Sequence, residues 1–258
     1  MLKLDSSGKK RKFDHLKDTP DASDSPSTEE VQQPKQLRSS SSSDNYGLRN
    51  LDKWKVPQIR TGEVFFIPEF ISEDLANEWL ESLDNLDTWY HPVLKVYGKE
   101  KIQSRSIAAY ATDEQIPVKY SGHLVNLHLE YPMVLLQIQK KVEDFLGVSF
   151  NHVMLNKYQS GNEYIGKHRD TKENNLIASL SLGAERTFIM SPNKTLSGVE
   201  KFSWKLLNGS ILVMGKGVQD NWKHEIPKEP SVKTKRISLT FRQITEVKTT
   251  IKRPRSSR

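Results

Sequence analysis

The sequence predicts a mostly β fold with flanking helices, on three observations. Two segments with helical apolar spacing come first, at 72–83 and 132–146. Six short β-rich segments separated by turn residues then fill 150–242. No internal repeat is present, so the strands do not stack as a solenoid. Two helices followed by many strands pack the helices on one side of an antiparallel sandwich or barrel.

Residues 1–54 read as a disordered tail. They are rich in Ser, Asp, Lys and Pro, contain the run Ser39–Ser43, and lack apolar periodicity. Within this tail Gly8–Lys12 is a basic cluster compatible with nuclear import, so the nucleus is the expected location, with the cytoplasm second. The tail is also expected to recruit other proteins. A packed domain is expected over 55–246. Val64–Ile67 is a short buried strand closed by Pro68. Ser72 can cap a helix whose Leu75, Trp79, Leu80 and Leu83 form one apolar stripe. A second helix starts at Pro132 and stops at Gly147, with Val134, Leu135, Ile138, Val142, Phe145 and Leu146 at helical spacing. Strands follow at Phe150–Tyr158, Leu176–Leu182, Arg186–Met190, Phe202–Leu207, Ser210–Met214 and Arg236–Arg242. Residues 247–258 form a basic tail.

Composition narrows the function classes. The chain has no cysteine, which excludes disulfides, Fe–S clusters and thiolate zinc sites. No stretch approaches 18 apolar residues, so a soluble, intracellular protein with no membrane partner is expected; a monomer is expected as well. Asn193-Lys-Thr and Asn208-Gly-Ser match the glycosylation pattern, by chance in a chain without a secretory segment. The net charge of +7 is uneven. The last 14 residues carry five basic residues and one acid, and residues 1–50 carry nine and eight, so the middle is near neutral. Its strongest local basic stretch is Lys95–Arg105, where Lys95, Lys99, Lys101 and Arg105 stand against Glu100. That footprint suits a phosphate backbone, or equally an ordinary solvated hairpin.

The chemistry concentrates in His168-Arg-Asp170, His224, and Arg236-Ile-Ser-Leu-Thr-Phe-Arg242. Two imidazoles and one carboxylate are the ligand set of a non-haem Fe(II) site with one face open. On an extended segment His168 and Asp170 leave the same face, and His224 must come from a separate strand. Arg236 and Arg242 share a strand face with Ser238 and Thr240, while Ile237, Leu239 and Phe241 point into a core. Such a strand suits a dianion beside the metal. The three open metal positions suit O₂ and a bidentate 2-oxo acid, and the distal carboxylate of 2-oxoglutarate suits a fixed guanidinium such as Arg236. Asn156 and Tyr158 share one face of their strand and can bond the same molecule. Gly161–Lys167 fits the start of a P-loop, but His168 stands where Mg²⁺ needs Ser or Thr. Its glycines are expected instead to shape the turn that presents His168.

Asn156-Lys-Tyr158, His168-Arg-Asp170, Ser179-Leu-Ser-Leu-Gly-Ala184, Trp222-Lys-His224-Glu-Ile-Pro and the arginine strand together resemble the AlkB family of Fe(II)/2-oxoglutarate dioxygenases. The resemblance spans about 56–246 and is nearest to the eukaryotic nuclear alkyl-DNA repair branch. It implies a double-stranded β-helix (jelly-roll) core and oxidative demethylation of N-alkylated bases such as 1-methyladenine and 3-methylcytosine. Formaldehyde, succinate and CO₂ would be released, with Fe(II), 2-oxoglutarate and O₂ required. It makes His168, Asp170 and His224 the iron ligands. Asn156, Tyr158, Arg236 and Arg242 become 2-oxoglutarate contacts, with Ser238 and Thr240 on the same face. Ser238 stands where the family commonly has Asn. Val96-Tyr-Gly-Lys99, Arg105 and Lys119-Tyr-Ser-Gly122 resemble that branch's DNA-facing lid, at about 88–124. Tyr97 matches an aromatic wedge, Tyr120 a stacking partner for the flipped base, and Lys99 and Arg105 phosphate contacts, with Gly98 and Ser121 beside them. Flipping is required because the methylated edge is inaccessible in a duplex. Thr171 and Lys172 stand where the branch tends to be acidic. Rival readings are the same chemistry on RNA or on a protein side chain, and a non-catalytic nucleic-acid-binding module on the same fold.

Overall fold

The computed structural model describes residues 51–244 apart from 97–98, 115, 117–118, 121–122, 172–173, 195 and 197; for 95–96, 119–120, 123–124 and 175 it describes the backbone alone. The Gly8–Lys12 cluster and the 247–258 tail lie outside the described residues. In chain order the strands are β1 (Val64–Ile67), β2 (Val93–Val96), β3 (Lys99–Ile102), β4 (Ser106–Ala111), β5 (Lys119–Tyr120), β6 (His123–Leu124) and β7 (Leu127–His128). They continue as β8 (His152–Tyr158), β9 (Ile165–His168), β10 (Asn174–Gly183), β11 (Arg186–Pro192), β12 (Phe202–Leu206), β13 (Ile211–Met214), β14 (Trp222–Ile226) and β15 (Arg236–Ile244). The helices are α1 (Glu73–Asp84), α2 (Met133–Leu146) and the single turn α3 (Val218–Asn221). No helix among the described residues is long and apolar enough to cross a membrane.

Both helices start and stop where local chemistry directs. The Ser72 hydroxyl accepts from the Leu75 N–H, and Glu73 and Asp74 fill the first turn of α1. Gly147, at φ 72°, closes α2 by donating its N–H to the Glu143 carbonyl. One boundary differs from expectation: residues 51–54, assigned to the tail on composition, belong to the fold. Leu51 is buried, and Trp54 packs on Phe145 of α2, ring centroids 5.6 Å apart. A short polar approach segment hides two such anchors from any periodicity test.

Two sheets make a jelly-roll sandwich. The major sheet runs β1-β13-β10-β15-β8-β4-β7, antiparallel except for the β4–β7 edge. The minor sheet runs β12-β11-β14-β9. α1 and α2 cover the outer face of the major sheet, sharing a core with Val153, Leu155, Ile237, Leu239 and Phe241. A second core, which includes Tyr158, Ile177, Leu212, Phe188, Met190 and Trp222, fills the space between the sheets.

This layering fixes the register of β15. Ile237, Leu239 and Phe241 are fully buried on the helix side, each worth about 2 kcal/mol. A one-residue slip would forfeit about 6 kcal/mol from those three and push arginines into the helix-side core. The arginines therefore face the space between the sheets. Two short pairs, the β2–β3 hairpin and β5–β6, lie within the segment expected to form a lid.

Candidate active site

β8 and β15 approach the site from the major sheet, β9 and β14 from the minor sheet. His168, the last residue of β9, is the direct cross-strand neighbour of His224 on β14. Their ring centroids are 4.3 Å apart. The His168 Nδ1 lies 2.8 Å from the Gly166 carbonyl. Only an N–H can make that contact, so Nδ1 carries the proton and Nε2 keeps its lone pair. Phe188 stacks on the His224 ring at 5.4 Å between centroids. Asp170 sits just past β9, not on a strand, so it is aimed by its contacts and not by strand alternation. Its N–H donates to Gln219 Oε1 at 3.0 Å. Its Oδ1 accepts from Arg242 Nη2 at 2.6 Å and Nε at 3.2 Å. Its Oδ2 lies 3.6 Å from His224 Nε2.

The protonation states follow from burial and neighbours. Burial, then the adjacent His168, pushes His224 down to about 3. Burial likewise pushes His168 below the usual imidazole range, against the pull of Asp170. Both rings are neutral at pH 7, the form that ligates a metal. Burial works to raise the Asp170 carboxyl, but Arg242 with the two imidazoles holds it well below the usual carboxylate range. Among the described residues no three such donors stand at metal-binding spacing. The two Arg242 hydrogen bonds to Asp170 fall on Oδ1 and leave Oδ2 on the His224 side. By donor chemistry the set fits Fe(II): two neutral imidazoles, one with its tautomer fixed, and one carboxylate.

The neighbouring pocket fits a carboxylate. In register, Arg236 faces Tyr158, Ser238 faces Asn156, Thr240 faces Met154 and Arg242 faces His152. Arg236 is 2% exposed, and its Nη2 donates to the Ser181 hydroxyl at 2.9 Å. Its Nε and Nη1 find no acceptor among the described residues. The guanidinium carbon stands 5.4 Å from the Tyr158 ring centroid. Burial pushes the Arg236 pKa down to about 10, so the cation persists at pH 7. A buried cation with two unanswered donors is a cradle for an anion. Ser238 is buried and Thr240 half-buried on the same strand face.

Arg105, expected on the surface against a phosphate, is instead 1% exposed. Its Nε donates to Asn156 Oδ1 at 2.9 Å, and its Nη1 to Gln103 Oε1 and the Tyr164 carbonyl at 3.2 and 3.3 Å. It enters the fully buried strand β4, so its side chain turns inward and orients the Asn156 amide. Of the other expected lid contacts, Lys99 is exposed beside Lys101 on β3. Tyr97, Gly98 and Ser121 lie outside the described residues, as does Lys172; of Tyr120 only the backbone, in β5, is described. A cleft of about 510 Å³ opens beside His168, lined also by Arg169, Asn193, Lys194, Asp220 and Lys223. Gln219, which holds Asp170, carried no sequence signal, and Ser181, which holds Arg236, stood within the Ser179–Ala184 motif with no role assigned. Each is a lone polar residue whose partner is distant along the chain.

Fold and site together define a class: a jelly-roll with a two-histidine, one-aspartate site and an arginine-lined anion pocket between its sheets. The model of the 2OG-Fe(II) oxygenase superfamily matches residues 63–242. The chain is 32% identical over 167 residues to "DNA oxidative demethylase ALKBH2" of Mus musculus, covering 60% of this chain and 68% of that protein. It is 25% identical over 208 residues to the Arabidopsis thaliana protein of the same name, covering 70% and 66%. It is 31% identical over 140 residues to "Alpha-ketoglutarate-dependent dioxygenase alkB homolog 3" of Bos taurus, covering 50% and 49%. The chain thus spans about half to two thirds of the length of these relatives. A solved Trichoplax adhaerens prolyl hydroxylase, bound to a hypoxia inducible factor peptide fragment, shares the fold at TM-score 0.50 and 14% identity, covering 75% of this chain and 89% of that one. The chain belongs to the AlkB family of the 2OG-Fe(II) oxygenase superfamily. Its matched domain is that of the Fe(II)- and 2-oxoglutarate-dependent oxygenases.

Proposed function

We propose that the chain is a DNA oxidative demethylase acting on N-alkylated bases of the 1-methyladenine and 3-methylcytosine type. The carrying observation is the convergence of neutral His168 and His224 on ionised Asp170, with the buried Arg236, two of its nitrogens unpartnered among the described residues, on the strand that carries Arg242. The DNA substrate is supported by the printed names of the mouse and Arabidopsis relatives. It is also supported by cations suited to a polyanion: Lys99 and Lys101 on β3, and Arg169, Lys194 and Lys223 around the cleft beside His168.

His168, Asp170 and His224 would hold Fe(II). With 2-oxoglutarate and O₂ the metal would supply hydroxylation of the N-methyl C–H bond, with succinate and CO₂ as co-products. The resulting N-hydroxymethyl base loses formaldehyde: the C–N bond breaks, its electron pair returns to the ring nitrogen, and the hydroxyl proton is released. Arg236 holds the distal carboxylate of 2-oxoglutarate, with Tyr158 against it and Asn156, Ser238, Thr240 and Arg242 along the same pocket. Arg105 keeps the Asn156 amide in one orientation. Burial of these groups excludes water and lets the ion pairs act at low effective dielectric. Tyr97 and Tyr120 are the candidates for wedge and stacking partner, with Gly98, Lys99 and Ser121 beside them. The Gly8–Lys12 cluster supports a nuclear location.

The test is formaldehyde release with Fe(II) and 2-oxoglutarate on methylated DNA, methylated RNA and methylated histone peptides in parallel. Release from DNA is expected. Release confined to RNA or to peptide moves the substrate class, and absence of both formaldehyde and 2-oxoglutarate-dependent succinate sinks the enzymatic reading.

A further inference from the structure

Gln219, in the single turn α3, touches the candidate ligand Asp170 through the main chain. It is 5% exposed. Its Oε1 lies 3.0 Å from the Asp170 nitrogen, and an N–H can only donate, so the amide is held in one orientation. Its Nε2 is buried and has no hydrogen-bond partner among the described residues. An unpartnered amide donor in a dry interior costs stability where an apolar side chain of similar length would fit. Folding energetics alone therefore do not favour Gln at this position. What the side chain supplies is the bond to Asp170.

Asp170 needs that bond because no strand places it. β9 ends at His168, which pairs with His224, and Asp170 lies two residues beyond that ladder. Its carboxylate is tied to the major sheet through Oδ1 and Arg242, and its N–H is tied to α3 through Gln219. These two anchors, one on the side chain and one on the main chain, set where Oδ2 stands, 3.6 Å from His224 Nε2. The turn α3 is itself fixed. Asn221 Nδ2 donates to the Thr61 and Gly217 carbonyls at 2.8 and 3.0 Å, and Trp222 Nε1 to the Thr61 hydroxyl at 3.0 Å. The Asn193 N–H donates to the Asn221 carbonyl at 2.7 Å, and Val218 is fully buried. α3 runs without a break into β14, where His224 stands five residues after Gln219. One anchored turn thus delivers His224 and holds Asp170. We propose that Gln219 is a positioning residue for Asp170: it ties the ligand that lies off the sheet to the turn that delivers His224, so the two donors keep one mutual placing before any metal arrives. A preset donor pair takes up a metal without first ordering the main chain. This inference rests on the ligand assignment of the proposed function, and it requires no contact of Asp170 to break.

The test compares Gln219→Met, which keeps the length and removes both polar atoms, with Gln219→Glu, which returns an acceptor to the Asp170 N–H. Mn(II) binding to the full chain is measured by calorimetry, alongside thermal unfolding of the metal-free protein. Metal-free Q219M is expected to unfold no lower than the wild type, because loss of the bond to Asp170 is offset by removal of the unpartnered Nε2. Mn(II) should bind Q219M at least about tenfold more weakly. Q219E should recover to within about threefold of the wild type. Wild-type Mn(II) affinity in Q219M overturns the proposal. So does a loss of affinity that Q219E shares in full, since the acceptor is then not what matters. Weaker binding that tracks a fall in unfolding temperature in both variants also overturns it, since that pattern belongs to a structural amide. If the wild type itself binds no Mn(II), the ligand assignment fails first and takes this inference with it.

Discussion

Replacing Arg236 by Met should stabilise the ligand-free protein while removing its co-substrate. The guanidinium is fully enclosed, bonded to the Ser181 hydroxyl beside the Tyr158 ring, and has two nitrogens unpartnered among the described residues. Burial pushes its pKa down to about 10, so keeping the charge buried costs about 3 kcal/mol. Methionine has comparable length, no charge and no donors. Losing the Ser181 bond returns about 1 kcal/mol of that gain, leaving a net gain near 2 kcal/mol. For a domain of this size that raises the unfolding temperature by about 4–8 °C. The same change removes a desolvated cation from a carboxylate, worth 2–5 kcal/mol, so N-oxalylglycine should bind Mn(II)-loaded R236M at least about 30-fold more weakly. Thermal unfolding with and without the analogue reads both effects in one experiment. If R236M unfolds well below the wild type, the arginine is structural. If it still gains stability from the analogue as the wild type does, the distal carboxylate is held elsewhere.

Three further outcomes are expected. Glu229 accepts from Arg186, from Thr187 through both N–H and hydroxyl, and from Lys205. Burial opposes ionisation, but these donors hold its pKa down at about 2 against 4.5 when free. That stability is therefore fully present above pH 4.5 and is lost as pH falls toward 2. Its size is about 3 kcal/mol in full, or about 2 after solvent screening. Urea unfolding should show E229Q weaker than wild type at pH 7, with the gap closing toward pH 2–3; a gap independent of pH refutes the ionic account. A Cβ at Gly161 would lie 1.8 Å from the Glu229 carbonyl oxygen, so Gly161→Ala must displace backbone. It should lower the unfolding temperature severely, whereas Gly166→Ala, with open space around it, should fold normally. Asp170→Asn leaves Arg242 without its counter-charge and the metal without its anion. Stability should fall by about 3 kcal/mol in urea titration and Mn(II) binding should disappear from calorimetry; retained Mn(II) affinity would remove Asp170 from the ligand set.

The chemistry-bearing residues were legible because strand periodicity is a local property. Alternation along 236–242 separates two arginines from three apolar side chains. The structure keeps that separation because Ile237, Leu239 and Phe241 are buried under α1 and α2. The helix ends at Ser72 and Gly147 were equally local, since capping is decided within one turn. Other assignments required the third dimension. Basic residues at 95–105 read as one stripe, yet Lys99 meets solvent while Arg105 reaches Asn156, 51 residues away. No window along the chain contains both partners of that bond.

By itself, then, the sequence determined the class of fold, the placing of His168 close to Asp170 and the strand face that carries Arg236 and Arg242. Each depends on residue chemistry and a spacing of two or six. Only the tertiary structure decided which groups beside that strand lack partners among the described residues, namely Arg236 at two nitrogens and His152 at both. Satisfaction of a buried polar group is a property of everything packed around it. Here β4, β8 and β15 supply those surroundings from segments more than forty residues apart along the chain.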